Sequence, residues 1–196
     1  RKGRGGGCRP HGHSLAAVRH EPRSGVRRGH GERQRGAARQ GERRMHLVGL
    51  VSDGGVHAHI EHLLGILSLL RNTQIEPVIH MITDGRDTAP RAALDHLDTI
   101  EQALASLGRG SIATVSGRYS AMDRARNWDR TERAWKAMVL GQGFTADNAR
   151  EAIEAAYARG EGDEFIQPTV IPGHGGIAHG NHVRGTHVGQ ERFVAW

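Results

Sequence analysis

An α/β domain, with a layered and mostly parallel sheet flanked by helices, is the fold this sequence predicts, and three observations predict it. Short apolar runs of strand length recur around residues 46–52, 78–83 and 111–116. Between them lie stretches whose apolar residues fall at three-to-four spacing, the helical period. Glycine, proline and short polar residues punctuate each change of period. Strands alternating with helices imply parallel pairing through crossover connections.

The elements follow in order. The run at 46–52, His-Leu-Val-Gly-Leu-Val-Ser, reads as a short buried strand. A helix follows on Ile60, Leu63, Leu64, Leu67 and Leu70. Residues 78–83, Val-Ile-His-Met-Ile-Thr, give the second strand. A second helix is expected to open at Pro90, a residue suited to a first turn, with Leu94, Leu97, Ile100, Leu104 and Leu107 on one face and Gly108 as its stop. Residues 111–116 give the third strand. Helices are then predicted over residues 130–140 and 146–159, the latter with Thr145 as N-cap and Gly160 as C-cap. A fourth strand is expected within residues 165–171.

Composition divides the chain into three pieces. Residues 1–44 carry 13 Lys and Arg against three acids, a net +10, whereas residues 45–196 carry 14 basic and 18 acidic groups, a net −4. The high pI therefore belongs to the head alone, which excludes reading the whole chain as a basic nucleic-acid binder. The head holds 10 Gly and 12 Arg with no Ile, Met, Phe, Trp or Tyr. It has too little apolar surface to offset a backbone ordering cost of about 1–2 kcal/mol per residue, and disorder is expected. It also lacks the aromatic residues that stack on bases, so nucleic acid is not an expected partner. Residues 45–171 form the one folded domain. Residues 172–196, with six Gly and four His, read as an irregular tail. The spacing of His174, His179, His182 and His187 is too loose for a zinc site, with no Cys nearby. Arg, Gly, Ala and His dominate when a GC-rich gene is read out of frame, and a non-native origin of both flanks is the favoured explanation of their composition.

A single cysteine, Cys8, excludes an internal disulfide framework. No stretch approaches the roughly 20 apolar residues that span a bilayer, and no apolar h-region opens the chain. A soluble cytoplasmic protein is the expectation.

In open α/β sheets, ligands bind beyond the carboxyl ends of the strands. Each of the first three strands ends in a polar, glycine-bearing turn: Ser-Asp-Gly-Gly-Val-His-Ala-His at 52–59, Thr-Asp-Gly-Arg-Asp-Thr at 83–88, and Ser-Gly-Arg-Tyr-Ser-Ala-Met-Asp-Arg at 116–124. Any one of these is ordinary loop chemistry. Together they bring His57, Arg86, Arg118, Arg124 and several carboxylates to one sheet edge. Planar guanidinium groups recognise carboxylate and phosphate bidentately, so the cluster suits a small phosphorylated acid. A neighbouring carboxylate such as Asp87 would orient or deprotonate a hydroxyl on that ligand.

The same three turns, with Trp-Asp-Arg at 128–130 and Asp-Glu-Phe-Ile-Gln-Pro-Thr-Val-Ile at 163–171, closely resemble cofactor-independent (2,3-bisphosphoglycerate-independent) phosphoglycerate mutase over residues 45–171. That resemblance implies an isomerase of glycolysis that interconverts 3-phosphoglycerate and 2-phosphoglycerate through a phosphoserine. The family combines a phosphatase-like domain, bearing the nucleophilic serine and two manganese ions, with an inserted transferase domain that holds the glycerate. It is usually monomeric. Residues 45–171 resemble the transferase domain. By motif, His57, Arg86, Asp87, Arg118 and Arg124 are then expected to bind substrate, with Asp87 also helping in proton transfer.

The departures bear on activity. The family's Asn-Ser-Glu-Val-Gly-His stretch, which supplies the nucleophile, does not occur in these 196 residues, and neither does its Arg-Ala-Asp-Arg motif. The Asp and His metal ligands of the phosphatase domain have no counterpart here, so no cofactor or metal is expected to be bound by this polypeptide. Phosphoglycerate binding without turnover is the expectation for the chain alone, with a non-catalytic phosphoglycerate- or nucleic-acid-binding module as the alternative.

Overall fold

In a computed structural model, the structure describes residues 44–173, 176 and 177, together with the backbone of residues 182–184, 186–188 and 191–195. The expected disorder and non-native origin of the head therefore fall outside the described residues, except that Arg44 already belongs to the first strand.

Three long strands make the centre of the sheet: β1 (Arg44–Val51), β2 (Glu76–Thr83) and β3 (Ser111–Gly117). They pair in parallel, and the register sets Val51 beside Thr83 and Thr83 beside Gly117. The three strands thus end level, which brings the turns that follow them to one edge. Two two-residue strands extend the sheet beyond β3: β4 (Phe144–Thr145) and β5 (Thr169–Val170). A further strand, β6 (His182–Arg184), pairs in parallel with β1, giving the order β4-β5-β3-β2-β1-β6. Within this sheet, among the described residues, the β3–β5 pairing alone is antiparallel.

Helices α1 (Ile60–Leu70), α2 (Ala93–Leu107) and α5 (Ala149–Ala158) join the strands. Between them lie the single turn α3 (Arg118–Ala121) and α4 (Trp128–Trp135), which continues into a π-helical turn, Lys136–Leu140. The core is built where strand residues buried on both faces meet the helical stripes. Leu47, Leu50, Leu63, Ile79, Leu97, Ile100 and Ile153 are all sealed from solvent, each stabilising the fold by about 1.5–3 kcal/mol relative to an exposed side chain. A polar chain also crosses the sheet interior: His46 Nδ1 lies 2.9 Å from His80 Nε2, and His80 Nδ1 lies 3.0 Å from Thr114 Oγ1. Gly65, on the exposed side of α1, has open space where a Cβ would stand. Gly65→Ala is expected to raise stability by about 0.5–1 kcal/mol in urea unfolding, because glycine is a poor helix former.

The larger differences from the sequence reading lie in three helices and the fourth strand. The second helix starts at Ala93 rather than Pro90, because the Asp163 carboxylate accepts hydrogen bonds from the Ala92 and Ala93 amides and caps the helix there. The predicted helix over 130–140 begins two residues earlier, at Trp128, and changes to a π-helical turn at Lys136. The last long helix begins at Ala149, capped by Asn148, whose side-chain oxygen accepts from the Glu151 amide; Thr145, the expected cap, lies in β4. The predicted strand over 165–171 shrinks to β5, preceded by a 3₁₀ turn, Asp163–Phe165. That turn is closed by the Phe165 amide donating to the Gly162 carbonyl.

The tail that reads as irregular contains three short strands in its described backbone: β6 and the antiparallel pair β7 (Thr186–Val188) and β8 (Glu191–Ala195). His174 and His179 lie outside the described residues. No helix among the described residues is long and apolar enough to cross a membrane.

Candidate functional site

The turns after β1, β2 and β3 meet at the level edge of the sheet, and one buried carboxylate organises them. Asp84, only 2% exposed, directly follows β2. Its Oδ1 accepts from the Arg86 amide at 3.1 Å, the Asp87 amide at 3.1 Å and the Arg118 Nη1 at 2.6 Å. Burial works against its charge, but the Ser52 hydroxyl, Arg118 and the two amides together hold the carboxyl below its ordinary range. Gly85, at φ +66°, lets the chain turn at once beneath the 3₁₀ turn. A Cβ there would stand 2.6 Å from the Glu164 amide nitrogen.

Arg118 opens α3 directly from the end of β3 and is 6% exposed. One nitrogen, Nη1, serves both Asp84 Oδ1 and Asp87 Oδ2, each at 2.6 Å. Burial alone would disfavour its charge, yet Asp87 and Asp84 raise its pKa above the ordinary value. Nε and Nη2 make no hydrogen bond with the described residues, and neither is sealed from solvent. The guanidinium is thus fixed in place with donors to spare.

Asp87 is the hub of the sequence-predicted group. Its Oδ2 takes Arg118 and lies 3.8 Å from His57 Nε2. Its Oδ1 has no hydrogen-bond partner among the described residues and is open to solvent. Arg86 is half exposed and pairs through Nη2 with Glu164 Oε1 of the 3₁₀ turn. The structure therefore joins His57, Asp87 and Arg118 directly, and ties Arg86 to them through Asp84. Arg124 is exposed, in the turn between α3 and α4, and forms no ion pair with the described residues.

Three residues that matter here escaped the sequence reading. Asp84 sits in an Asp-Gly pair, which reads only as a turn. Asp163 is buried, caps α2 and accepts from the Tyr157 hydroxyl; its burial pushes its carboxyl up, and burial together with Asp163 pushes the Tyr157 hydroxyl up. Glu164 lies 78 positions from Arg86. The motif at 163–171 was the available signal for the last two, but nothing local says which of its acids faces the arginines. Around them, the Arg130 guanidinium lies 3.9 Å from the Tyr119 ring centre, and that ring lies 5.1 Å from Phe165, bracing α3 against α4 and the 3₁₀ turn.

Chemically, the edge offers two fixed or half-fixed arginines, a shared carboxylate with one open oxygen, and a nearby imidazole. Such a set can bind a small anion with a hydroxyl group and exchange a proton with it. Among the described residues no group of three or more His, Cys, Asp or Glu side chains could hold a metal ion.

The family described as "BPG-independent PGAM N-terminus" matches residues 32–185. The chain is 54% identical over 137 residues to a 2,3-bisphosphoglycerate-independent phosphoglycerate mutase of Symbiobacterium thermophilum, covering 69% of this chain and 26% of that protein. It is 52% identical over 136 residues to the similarly named protein of Desulforudis audaxviator, covering 69% and 27%. In structure it resembles a phosphoglycerate mutase of Leishmania mexicana, with a TM-score of 0.70 and 29% identity over 80% of this chain and 32% of that one. The chain thus spans about a quarter of the length of the curated relatives it matches.

Proposed function

Since the chain belongs to the BPG-independent phosphoglycerate mutase family, in its N-terminal part, we propose that residues 45–171 are the substrate-binding transferase domain of such an enzyme and hold 3-phosphoglycerate or 2-phosphoglycerate during their interconversion. The observation that carries this reading is Arg118, buried, held by one nitrogen on two carboxylates, and left with free donors for an anion. Arg118, Arg86 and Arg124 neutralise the carboxylate and phosphate of the ligand. Asp87 contacts the glycerate hydroxyls and exchanges a proton through its open oxygen, with His57 beside it. Arg44 and β6, which lie beyond those bounds, share the domain's sheet.

Phosphoryl transfer itself belongs to parts of the family that these residues do not match. The 196 residues hold no Asn-Ser-Glu-Val-Gly-His stretch to supply the serine. The described residues do not fit the two metal ions, commonly manganese, that the family's phosphatase domain carries, and none of the roles above involves them. The chain alone therefore binds without turnover. As a part of a glycolytic enzyme it works in the cytoplasm.

Titration calorimetry with 3-phosphoglycerate tests the reading. The wild-type chain is expected to bind, and Arg86→Ala to weaken binding by about 1.5–3 kcal/mol, the loss of a charge-assisted hydrogen bond. Equal affinity in the two proteins sinks the pocket assignment. Measurable formation of 2-phosphoglycerate by the chain alone sinks the statement about turnover.

A further inference from the structure

We propose that Glu164 is the positioning residue of Arg86, holding the guanidinium by one nitrogen so that the rest of its fork is set for an anion before one arrives. The inference rests on the binding role proposed above for Arg86.

Arg86 needs such a holder. Its backbone is fixed by the hydrogen bond from its amide to Asp84 Oδ1, but its side chain is 51% exposed. A long arginine side chain without a partner spreads over many rotamers, and a ligand would then bear the cost of ordering it. Glu164 supplies one contact, from Arg86 Nη2 to its Oε1, and among the described residues the other donors of the fork stay uncommitted. Its own side chain is only 16% exposed.

Glu164 is itself immobilised. Its backbone lies directly over Gly85 and Gly117, where any Cβ would collide with it. The preceding residue is tied on both sides, the Thr83 hydroxyl donating to the Asp163 carbonyl at 2.6 Å and the Asp163 amide to the Pro90 carbonyl at 2.9 Å. The ends of β2 and β3 thus fix the carboxylate that fixes Arg86. Arg118 is held in the same way, by a single nitrogen on Asp84 and Asp87.

The sign of the effect separates positioning from mere proximity. A carboxylate that were only nearby would repel an anionic ligand, and removing its charge would tighten binding. A positioning carboxylate does the opposite.

The test uses the full 196-residue chain as wild type, Glu164→Gln and Glu164→Asp. In the absence of ligand, the Arg86 Nε–Hε group in nitrogen-15 NMR relaxation is expected to be ordered in wild type, mobile in Glu164→Gln and intermediate in Glu164→Asp. Affinity for 3-phosphoglycerate is expected to fall by roughly two- to fivefold in Glu164→Gln, in keeping with a partly exposed ion pair, and to recover in part in Glu164→Asp. Unchanged order of Arg86, or tighter binding by Glu164→Gln, overturns the proposal. If wild type binds no 3-phosphoglycerate, the binding reading itself fails, and the order of Arg86 alone decides the role of Glu164. Should Glu164→Gln fail to fold, Glu164→Asp, which keeps the charge and shortens the reach, must move both readouts in the same direction or the proposal falls.

Discussion

Replacing Arg118 by leucine is expected to lower stability by about 3–5 kcal/mol in urea unfolding and to abolish detectable 3-phosphoglycerate binding. Removing one partner of a buried ion pair strands the other, and here it strands Asp84, which is almost wholly buried with its Oδ1 already committed to two amides. Asp84 Oδ2 has no hydrogen-bond partner among the described residues, so the site has no slack to absorb the loss. The pH dependence supplies a second readout. Because Asp84 has a lower pKa folded than unfolded, its contribution is complete above about pH 4–5 and disappears as the pH falls through the folded value. The wild-type chain loses that stability on acidification, and Arg118→Leu, which has already lost much of it, falls less steeply. Asp163 has the opposite sign: its pKa is raised, so its contribution is present below about pH 4 and declines as the pH rises toward the folded value. It is common to both proteins and drops out of their difference. A loss of under about 1 kcal/mol, with parallel acid limbs, would show that Arg118 is not the anchor described here.

Gly117→Ala is expected to cost about 3 kcal/mol or more and to weaken 3-phosphoglycerate binding at the same time. The backbone of Gly117, at φ −66°, is one that alanine adopts freely, so the cost is wholly steric. A Cβ there would collide with the Glu164 carbonyl oxygen and stand 2.6 Å from its carbon and 2.7 Å from the Ile166 nitrogen. These are backbone atoms and cannot swing aside as a side chain would. The segment must retreat from the sheet and release the 2.8 Å hydrogen bond from the Gly117 amide to the Ile166 carbonyl. Asp163 and Glu164 would move with it, loosening the cap of α2 and the hold on Arg86. Urea unfolding and calorimetry on the same preparation check both parts. A variant of unchanged stability would falsify the close packing on which the site rests.

Much of the centre of the fold was legible because each element carries its own period. The helical stripe of α1 and the stop at Gly108, which adopts φ +75°, follow from local spacing and from glycine chemistry. The three central strands were placed to within two residues, since a strand buried on both faces reads as an unbroken apolar run. The two-residue strand β4 was not legible, and β5 was legible only as part of a longer expected strand. Their pairing with each other and with β3 comes from backbone hydrogen bonds alone, and two residues are too few to show a period.

For the site, sequence alone indicated which turns gather at the sheet edge, although Arg124, expected among them, forms no ion pair with the described residues. Parallel strands that end level must place their following turns together, and His57, Arg86, Asp87 and Arg118 lie in those turns. What only the tertiary structure decided is how they are held. Asp84 reads as half of a turn dipeptide but is the buried acceptor that binds two turns into one. Arg118 reads as one of a cluster of ligand-facing cations but is nearly sealed, with one nitrogen committed. Asp163 and Glu164 reach back some 70 to 80 positions to cap α2 and to hold Arg86. Periodicity reports which face of an element is apolar, because burial follows spacing along one chain segment. It carries no information about which distant carboxylate meets a given guanidinium, because that pairing is set by the packing of segments far apart in the chain.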